Sequence, residues 1–250
     1  MTAALLAAPT PGFVADRLAV ADPEGWIPAT ELVSGDRLES LFAIPRKLWS
    51  AAPHAAAVLA WKTYTYRLAQ PLALAWSGAR EVPLLSADNV LVKMSPQHPY
   101  VTVGLRRSTS AVLSTSSAVR SHDAIVIPDE AGLLDFLRLT LMDQHLKPLL
   151  ARTRLIRRVG ARVLWGQVAA GVAYALSDVS ATAGEDTVVL TDALGLAGLA
   201  GVGEDDQVWR STCCLAFSTP TLNACRDCCL HERTAAAKTA TKTTAVAASV

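Results

Sequence analysis

The spacing of apolar and polar positions changes period twice along the chain, and those changes divide it into regions. From Thr30 to Trp49 the apolar residues Leu32, Val33, Leu41 and Phe42 recur at helical spacing, with Thr30 as a cap and Pro45 placed to start a new helical segment. Pro53 to Trp76 predicts a helix with a wide apolar face formed by Val58, Leu59, Trp61, Tyr64, Tyr66 and Leu68. Pro71 should kink or end it, because proline lacks an N–H and clashes with the preceding turn. An aromatic face of this kind reads as core before it reads as a cofactor box.

The period then shortens to two. Asn89 to Met94 and Tyr100 to Leu105 are rich in β-formers and flank Ser95-Pro96-Gln97-His98-Pro99, which predicts a hairpin. Ala124 to Ile127 predicts another short strand. Asp129 has the character of an N-cap, and Leu133 to Leu150 returns to helical spacing through Leu134, Leu137, Leu141 and Leu149. Pro148 predicts a break near His145. Leu164 to Leu176 is rich in small residues, which lets a helix pack closely, and Thr187 to Leu199 predicts a last helix before Gly201-Val202-Gly203 opens a loop. Residues 1–12 and the Ala-Thr-Lys tail from Thr234 carry no core pattern and predict disorder.

The expected fold is α+β: mostly helical, with a small antiparallel β-sheet mid-chain and a C-terminal cysteine-rich loop. We expect an N-terminal α+β region over 13–128, a helical C-terminal region over 129–233 that holds the cysteine segment at 209–230, and a tail over 234–250. Together they would form one compact unit.

Composition narrows the function classes. The chain is 51% hydrophobic and 18% charged, with a formal net charge of +1. No basic stripe emerges, which argues against a nucleic-acid partner. Arg152, Arg154, Arg157, Arg158 and Arg162 form a local run that reads either as a solvated helix face or as a positive patch for an anionic partner. Mean hydropathy is +0.30, much of it from alanine and leucine. No run of about 20 residues has the unbroken apolar character a spanning helix needs. The N-terminus lacks a basic leader, and Pro9 and Pro11 interrupt its apolar run, so no signal peptide is predicted. The expected location is therefore the cytoplasm, with room for peripheral contact at the inner face of the membrane. Thiols in that reducing compartment are more often metal-binding or catalytic than disulfide-bonded.

All five cysteines fall between Cys213 and Cys229. Such crowding suits a soft metal or an iron–sulfur cluster. Written as Cys213-Cys214-x10-Cys225-x2-Cys228, the segment ends in a familiar chelating turn but begins with an adjacent pair. Neighbouring side chains diverge, which is awkward for one zinc tetrahedron and easier for a wider [2Fe–2S] core. The residues alone leave three readings open: an iron–sulfur cluster, a structural zinc site, or thiols without metal. Cys229 is a spare: an alternative ligand, a core residue or a free thiol. Arg210, Arg226 and Arg233 bracket the cysteines, and Ser211 or Thr212 is placed to hydrogen-bond sulfur. Both effects would raise a cluster's potential.

The double-cysteine motif resembles the [2Fe–2S] ligand pattern of the FhuF-like ferric-siderophore reductases. Trp209-Arg210-Ser211-Thr212-Cys213-Cys214-Leu215 also looks like that family's lead-in. An upstream block, His145-Leu146-x-Pro148-Leu149, the arginine run and Leu164-Trp165-Gly166-x-Val168-Ala169, resembles it as well. The chain departs from the family pattern at Gln167, where relatives have asparagine, at Cys229, where proline is common, and at Leu215-Ala216, where aromatics often stand. The resemblance implies a [2Fe–2S] cluster on Cys213, Cys214, Cys225 and Cys228. It also implies one-electron reduction of Fe(III) held by a siderophore, often of hydroxamate type, for iron assimilation. Hard oxygen donors hold Fe(III) far more tightly than Fe(II), so one electron makes the complex labile. Electrons would come from a separate ferredoxin or reductase, since no dinucleotide-binding glycine fingerprint is present. An iron–sulfur electron carrier or redox sensor, and a non-enzymatic protein with structural zinc, are the alternatives. No Ser/His/Asp or paired-carboxylate constellation is present. His145 is the histidine to test, with packing or capping as its bland role.

Overall fold

The computed structural model describes residues 14–121, 123–225 and 227–230; the expected disorder at both termini, together with His122, Arg226, His231 and Arg233, lies outside the described residues. After a 3₁₀ turn at Val14–Leu18 come β1 (Ile27–Pro28), α1 (Ala29–Ser34), α2 (Leu38–Trp49) and the long α3 (Pro53–Ala79). The strands β2 (Glu81–Pro83), β3 (Val90–Met94), β4 (Val101–Leu105), β5 (Ser110–Leu113) and β6 (Ala124–Ile127) follow. The C-terminal half holds α4 (Glu130–Leu137), a π-helical stretch (Arg138–Leu146), α5 (Lys147–Ile156), α6 (Ala161–Ser177), α7 (Ala183–Ala193) and the hairpin β7 (Ala200–Val202) and β8 (Val208–Arg210).

This is the expected α+β class. The hairpin is β3 and β4, antiparallel in the register Val90↔Leu105 to Met94↔Val101, with β1 added at the β3 edge. A second sheet was not foreseen. In it β5 pairs with β2 antiparallel and with β6 parallel, so the mid-chain strands form two small sheets.

Three proline expectations are corrected. Pro45 lies inside α2 and starts nothing. Pro71 lies inside α3, which continues to Ala79, so the helix does not end there. The local cost of an interior proline is about 3 kcal/mol. It is outweighed here because α3 is the central helix, with Trp61, Tyr64, Leu68, Leu72 and Trp76 all buried. The break expected near His145 is a widened, π-helical turn. Pro148 falls in the first turn of α5, where its missing N–H leaves no bond unmade. The last helix spans Ala183–Ala193 and not Thr187 to Leu199. Asp129 caps α4 as read, its Oδ1 accepting from the Gly132 N–H at 2.8 Å.

The core sits between α3 and α6. Trp61 Nε1 donates to Leu164 O at 2.8 Å, so the aromatic face is core. A Cβ on Gly171 would meet the Tyr66 backbone at 3.3 Å, so a small residue there lets the two helices approach closely. Asp186, in the first turn of α7, ties the far end of α3: it accepts from Trp76 Nε1 (3.0 Å), Arg80 Nη1 (2.6 Å), Ser180 Oγ (2.6 Å) and Thr182 Oγ1 (2.9 Å).

Candidate functional site

Strand β8 delivers the chain to the cysteines, and a small apolar cluster seats them. Cys214 and Ala216 pack with Ala51, Ala55, Ala56 and Leu59 at the start of α3, flanked by Trp49, Leu222 and Cys225. Leu215 adopts the left-handed region (φ 61), which turns the chain sharply after the cysteine pair. The adjacent thiols have different neighbours. Cys214 is fully buried, with its Sγ 3.2 Å from Cys225 Sγ, while Cys213 is half-buried and its Sγ accepts the Leu215 N–H at 3.3 Å. Cys228 is buried, and its N–H donates to Cys225 O at 3.1 Å; Cys229 is half-buried. Among the described residues no three of His, Cys, Asp or Glu are gathered as a shell for a single ion.

A buried cation faces the close thiol pair. The Arg210 side chain is 0% exposed, and its Nη2 donates to Cys225 Sγ at 2.8 Å and reaches Cys214 Sγ at 3.6 Å. Its Nε pairs with Asp227 Oδ2 at 2.8 Å, and its Nη1 lies 3.5 Å from Gln167 Oε1. Tyr174 OH donates to the same Asp227 carboxylate, which together with burial holds the phenol well above its ordinary pKa. The hydrogen bond from Cys225, with Lys62 and Arg210 nearby, lowers Cys214 to about 4 against the cost of burial, and Cys225 is raised in return. Burial lifts Cys213 to about 11, aided by the neighbouring charges of Cys214, Cys228 and Cys229.

Of the brackets read from sequence, Arg210 touches sulfur; Arg226 and Arg233 lie outside the described residues. Ser211 Oγ donates to Leu199 O at 3.1 Å, and Thr212 Oγ1 accepts from Gln167 Nε2 at 3.3 Å; the donors directed at sulfur among the described residues include Arg210, the Leu215 N–H and the Ala216 N–H, which faces Cys214. Gln167 Nε2 also reaches Cys213 O at 3.4 Å, which ties α6 to the cysteine segment.

His145 lies elsewhere. It is fully buried, between Tyr64 OH (2.6 Å from Nε2) and Leu85 O (2.6 Å from Nδ1), with burial lowering its pKa to about 4. A neutral ring that donates from Nδ1 to the carbonyl and accepts at Nε2 satisfies every partner, so its role is structural. The arginine run splits: Arg157 pairs with Glu39 at 2.6 Å and stacks over Phe42, while Arg152, Arg154, Arg158 and Arg162 are exposed.

A groove of about 360 Å³ adjoins the cysteine segment. Lys62, Thr63, Tyr66 and Arg67 of α3 form one wall, and Gln167, Ala170, Gly171 and Tyr174 of α6 the other. Trp49 and the β3–β4 turn, through His98 and Tyr100, cover it; Tyr100 meets Trp49 and His98 edge-on with ring centroids 5.9 and 5.7 Å apart. Sequence reasoning missed this groove. Its signal is a polar stripe at positions 62, 63, 66, 67 and 70 on an otherwise apolar helix. No helix among the described residues is long and apolar enough to cross a membrane.

Comparison with solved structures finds the fold in part of a larger enzyme. Aerobactin synthetase IucA from a hypervirulent pathotype of Klebsiella pneumoniae matches with a TM-score of 0.50 and 17% identity, over 75% of this chain and 32% of that one. Its ATP-bound form matches at 0.48 and 18%, with the same coverage. The present chain thus spans about a third of those proteins, and the likeness is one of fold. No curated protein matches. The family described as "Ferric iron reductase FhuF-like transporter" matches residues 61–240, a span that begins at the core tryptophan of α3 and includes every cysteine. The chain belongs to the FhuF-like ferric iron reductase family.

Proposed function

We propose that the protein is a [2Fe–2S] ferric-siderophore reductase, with Cys213, Cys214, Cys225 and Cys228 holding the cluster. The observation that carries this reading is the buried Arg210 guanidinium, which faces two thiols while Asp227 is its one carboxylate partner among the described residues. A buried cation is costly unless anions surround it, and thiolates committed to a metal supply them. The donor set fits a binuclear core better than a single zinc ion. Zinc needs four donors around one point, which the adjacent Cys213-Cys214 pair serves awkwardly, whereas the one close pair here, Cys214 and Cys225, leaves Cys213 and Cys228 to a second iron.

When bound, the cluster supplies one electron at a time to chelated Fe(III), which becomes Fe(II) and loosens from its oxygen donors. The chain's own residues set the conditions for that transfer. Arg210 and the Leu215 N–H hydrogen-bond the sulfurs and favour the more negative, reduced form. Burial of Cys214 and Cys228 keeps water from the thiolates. The electron comes from a separate donor of the ferredoxin or reductase class.

The test is anaerobic purification followed by the visible spectrum and by iron and sulfide analysis. The reduced protein is then titrated with a ferric trihydroxamate and a ferric tris-catecholate. Two irons and two sulfides per chain, with reoxidation by one equivalent of chelate, is the expected result. A colourless protein carrying zinc would refute the cluster. A coloured protein that no ferric chelate reoxidises would be an electron carrier instead.

A further inference from the structure

We infer that the groove between α3 and α6 is the seat of the ferric chelate, and that it selects chelates of net negative charge, those with carboxylate or catecholate arms, over neutral ones. The identity of the metal cargo rests on the reductase reading above; the charge preference rests on the groove itself.

Its lining contains two permanent cations, Lys62 and Arg67, and no carboxylate. Neither cation is paired with an acid among the described residues. Arg67 uses Nη1 on Gln70 Oε1 at 2.9 Å, but its Nε is buried with no hydrogen-bond partner. Arg67 thus spends none of its donors on an acid, and its side chain lines the groove where an anionic guest would sit. Two acids that bond lining residues are already occupied: Asp178 accepts from Tyr66 OH at 3.2 Å, and Asp227 from Tyr174 OH and Arg210. Trp49, Tyr66 and Tyr100 add aromatic faces on which flat chelate arms can lie. The volume is within the range of small-molecule sites.

Location joins this chemistry to the thiols. Gln167 lines the groove and donates to Cys213 O at 3.4 Å. Tyr174 lines it and hydrogen-bonds the Asp227 carboxylate, which pairs with the Arg210 guanidinium lying on Cys225 Sγ. A chelate in the groove is thus separated from the cysteine segment by a single layer of side chains.

Gallium(III) chelates test binding without reduction, since gallium is not reducible under these conditions. Quenching of tryptophan fluorescence in the cluster-loaded protein would report the affinity for a gallium tris-catecholate and for a neutral gallium trihydroxamate. We expect the anionic chelate to bind at least tenfold more tightly, with an advantage that shrinks as salt is raised. Lys62→Gln and Arg67→Gln should each lower its affinity about tenfold and leave the neutral chelate within twofold. Thr63→Trp, which fills the groove, should abolish both. Equal affinity for the two chelates, or unchanged affinity in both charge variants, would overturn the inference. The two readings fail separately: a protein that reduces iron but shows no charge preference removes the groove selectivity alone, and one that binds the gallium chelate but never reduces the ferric one removes the reductase alone.

Discussion

Adding one methyl group to Gly166 should dislodge the cysteine segment, and the structure indicates by how much. A Cβ at this position overlaps Thr212 Oγ1 and stands 2.6 Å from Thr212 Cγ2 and 2.8 Å from Thr212 Cβ. Rotation about χ1 can turn either Oγ1 or Cγ2 away but not both, and the Thr212 Cβ is fixed to its backbone. Relief to ordinary contact, about 3.4 Å, therefore needs a backbone shift of roughly half an ångström at the residue preceding Cys213. Overpacking of this kind costs about 1–3 kcal/mol. The bonds from Gln167 to Thr212 Oγ1 and Cys213 O are broken with it, at about 1 kcal/mol each. Against this, alanine is favoured over glycine in a helix by about 1 kcal/mol. The net expectation for Gly166→Ala is a loss of about 2–4 kcal/mol in urea unfolding, together with lower iron content. Gly78→Ala is the control: no atom lies within 4 Å of its added Cβ, so it should be neutral or stabilising. Thr212→Ala removes the two worst overlaps, so the double variant should recover part of the loss, with a coupling of about 0.5–3 kcal/mol. A Gly166→Ala protein as stable and as iron-rich as the parent would refute the reasoning.

Three further outcomes are expected. Arg210→Gln leaves Asp227 without its cation and the close thiol pair without its donor; stability should fall by on the order of 3 kcal/mol, and the midpoint potential of the loaded protein should move negative. His145 is held neutral in the fold, with its pKa lowered from 6.5 to about 4, so its contribution is complete above pH 6.5 and is lost as pH falls towards 4. That loss amounts to about 3 kcal/mol and should be missing from the acid limb of His145→Gln. Glu81, raised to about 7 by burial, has the opposite slope and cancels when variant and parent are compared. Finally, Cys214→Ser should lose the visible chromophore and Cys229→Ser should keep it; the reverse would reassign the final ligand.

What could be read from the sequence was whatever depends on neighbours along the chain. The β3–β4 hairpin, the Asp129 cap and the buried face of α3 follow from local period and from the chemistry of single residues. Pro45 and Pro71 misled because their local penalty is real but smaller than the packing around α2 and α3. The parallel β5–β6 pair brings Ser110 beside Ala124, a long-range pairing that no local signal encodes. The same holds for the site. The cysteine cluster is visible as spacing, and Arg210 as a neighbour. Asp227 as the partner of both Arg210 and Tyr174 appears only when α6 is laid against β8. The groove required two helices, each unremarkable alone, to be placed side by side.

The four hydrogen bonds gathered by Asp186 bear on how the groove can move. Those from Trp76 and Arg80 fasten the C-terminal end of α3 to α7, those from Ser180 and Thr182 hold the turn that leads into α7, and Tyr66 OH on Asp178 adds a second tie just beyond α6. The two helices therefore act like tongs riveted at one end, their arms held by the close approach at Gly171. The cover is built differently: Trp49, His98 and Tyr100 meet through ring edges. Opening should thus be a matter of lifting the cover while the walls stay fixed, so that a bulky guest is admitted without altering the distance from groove to thiols.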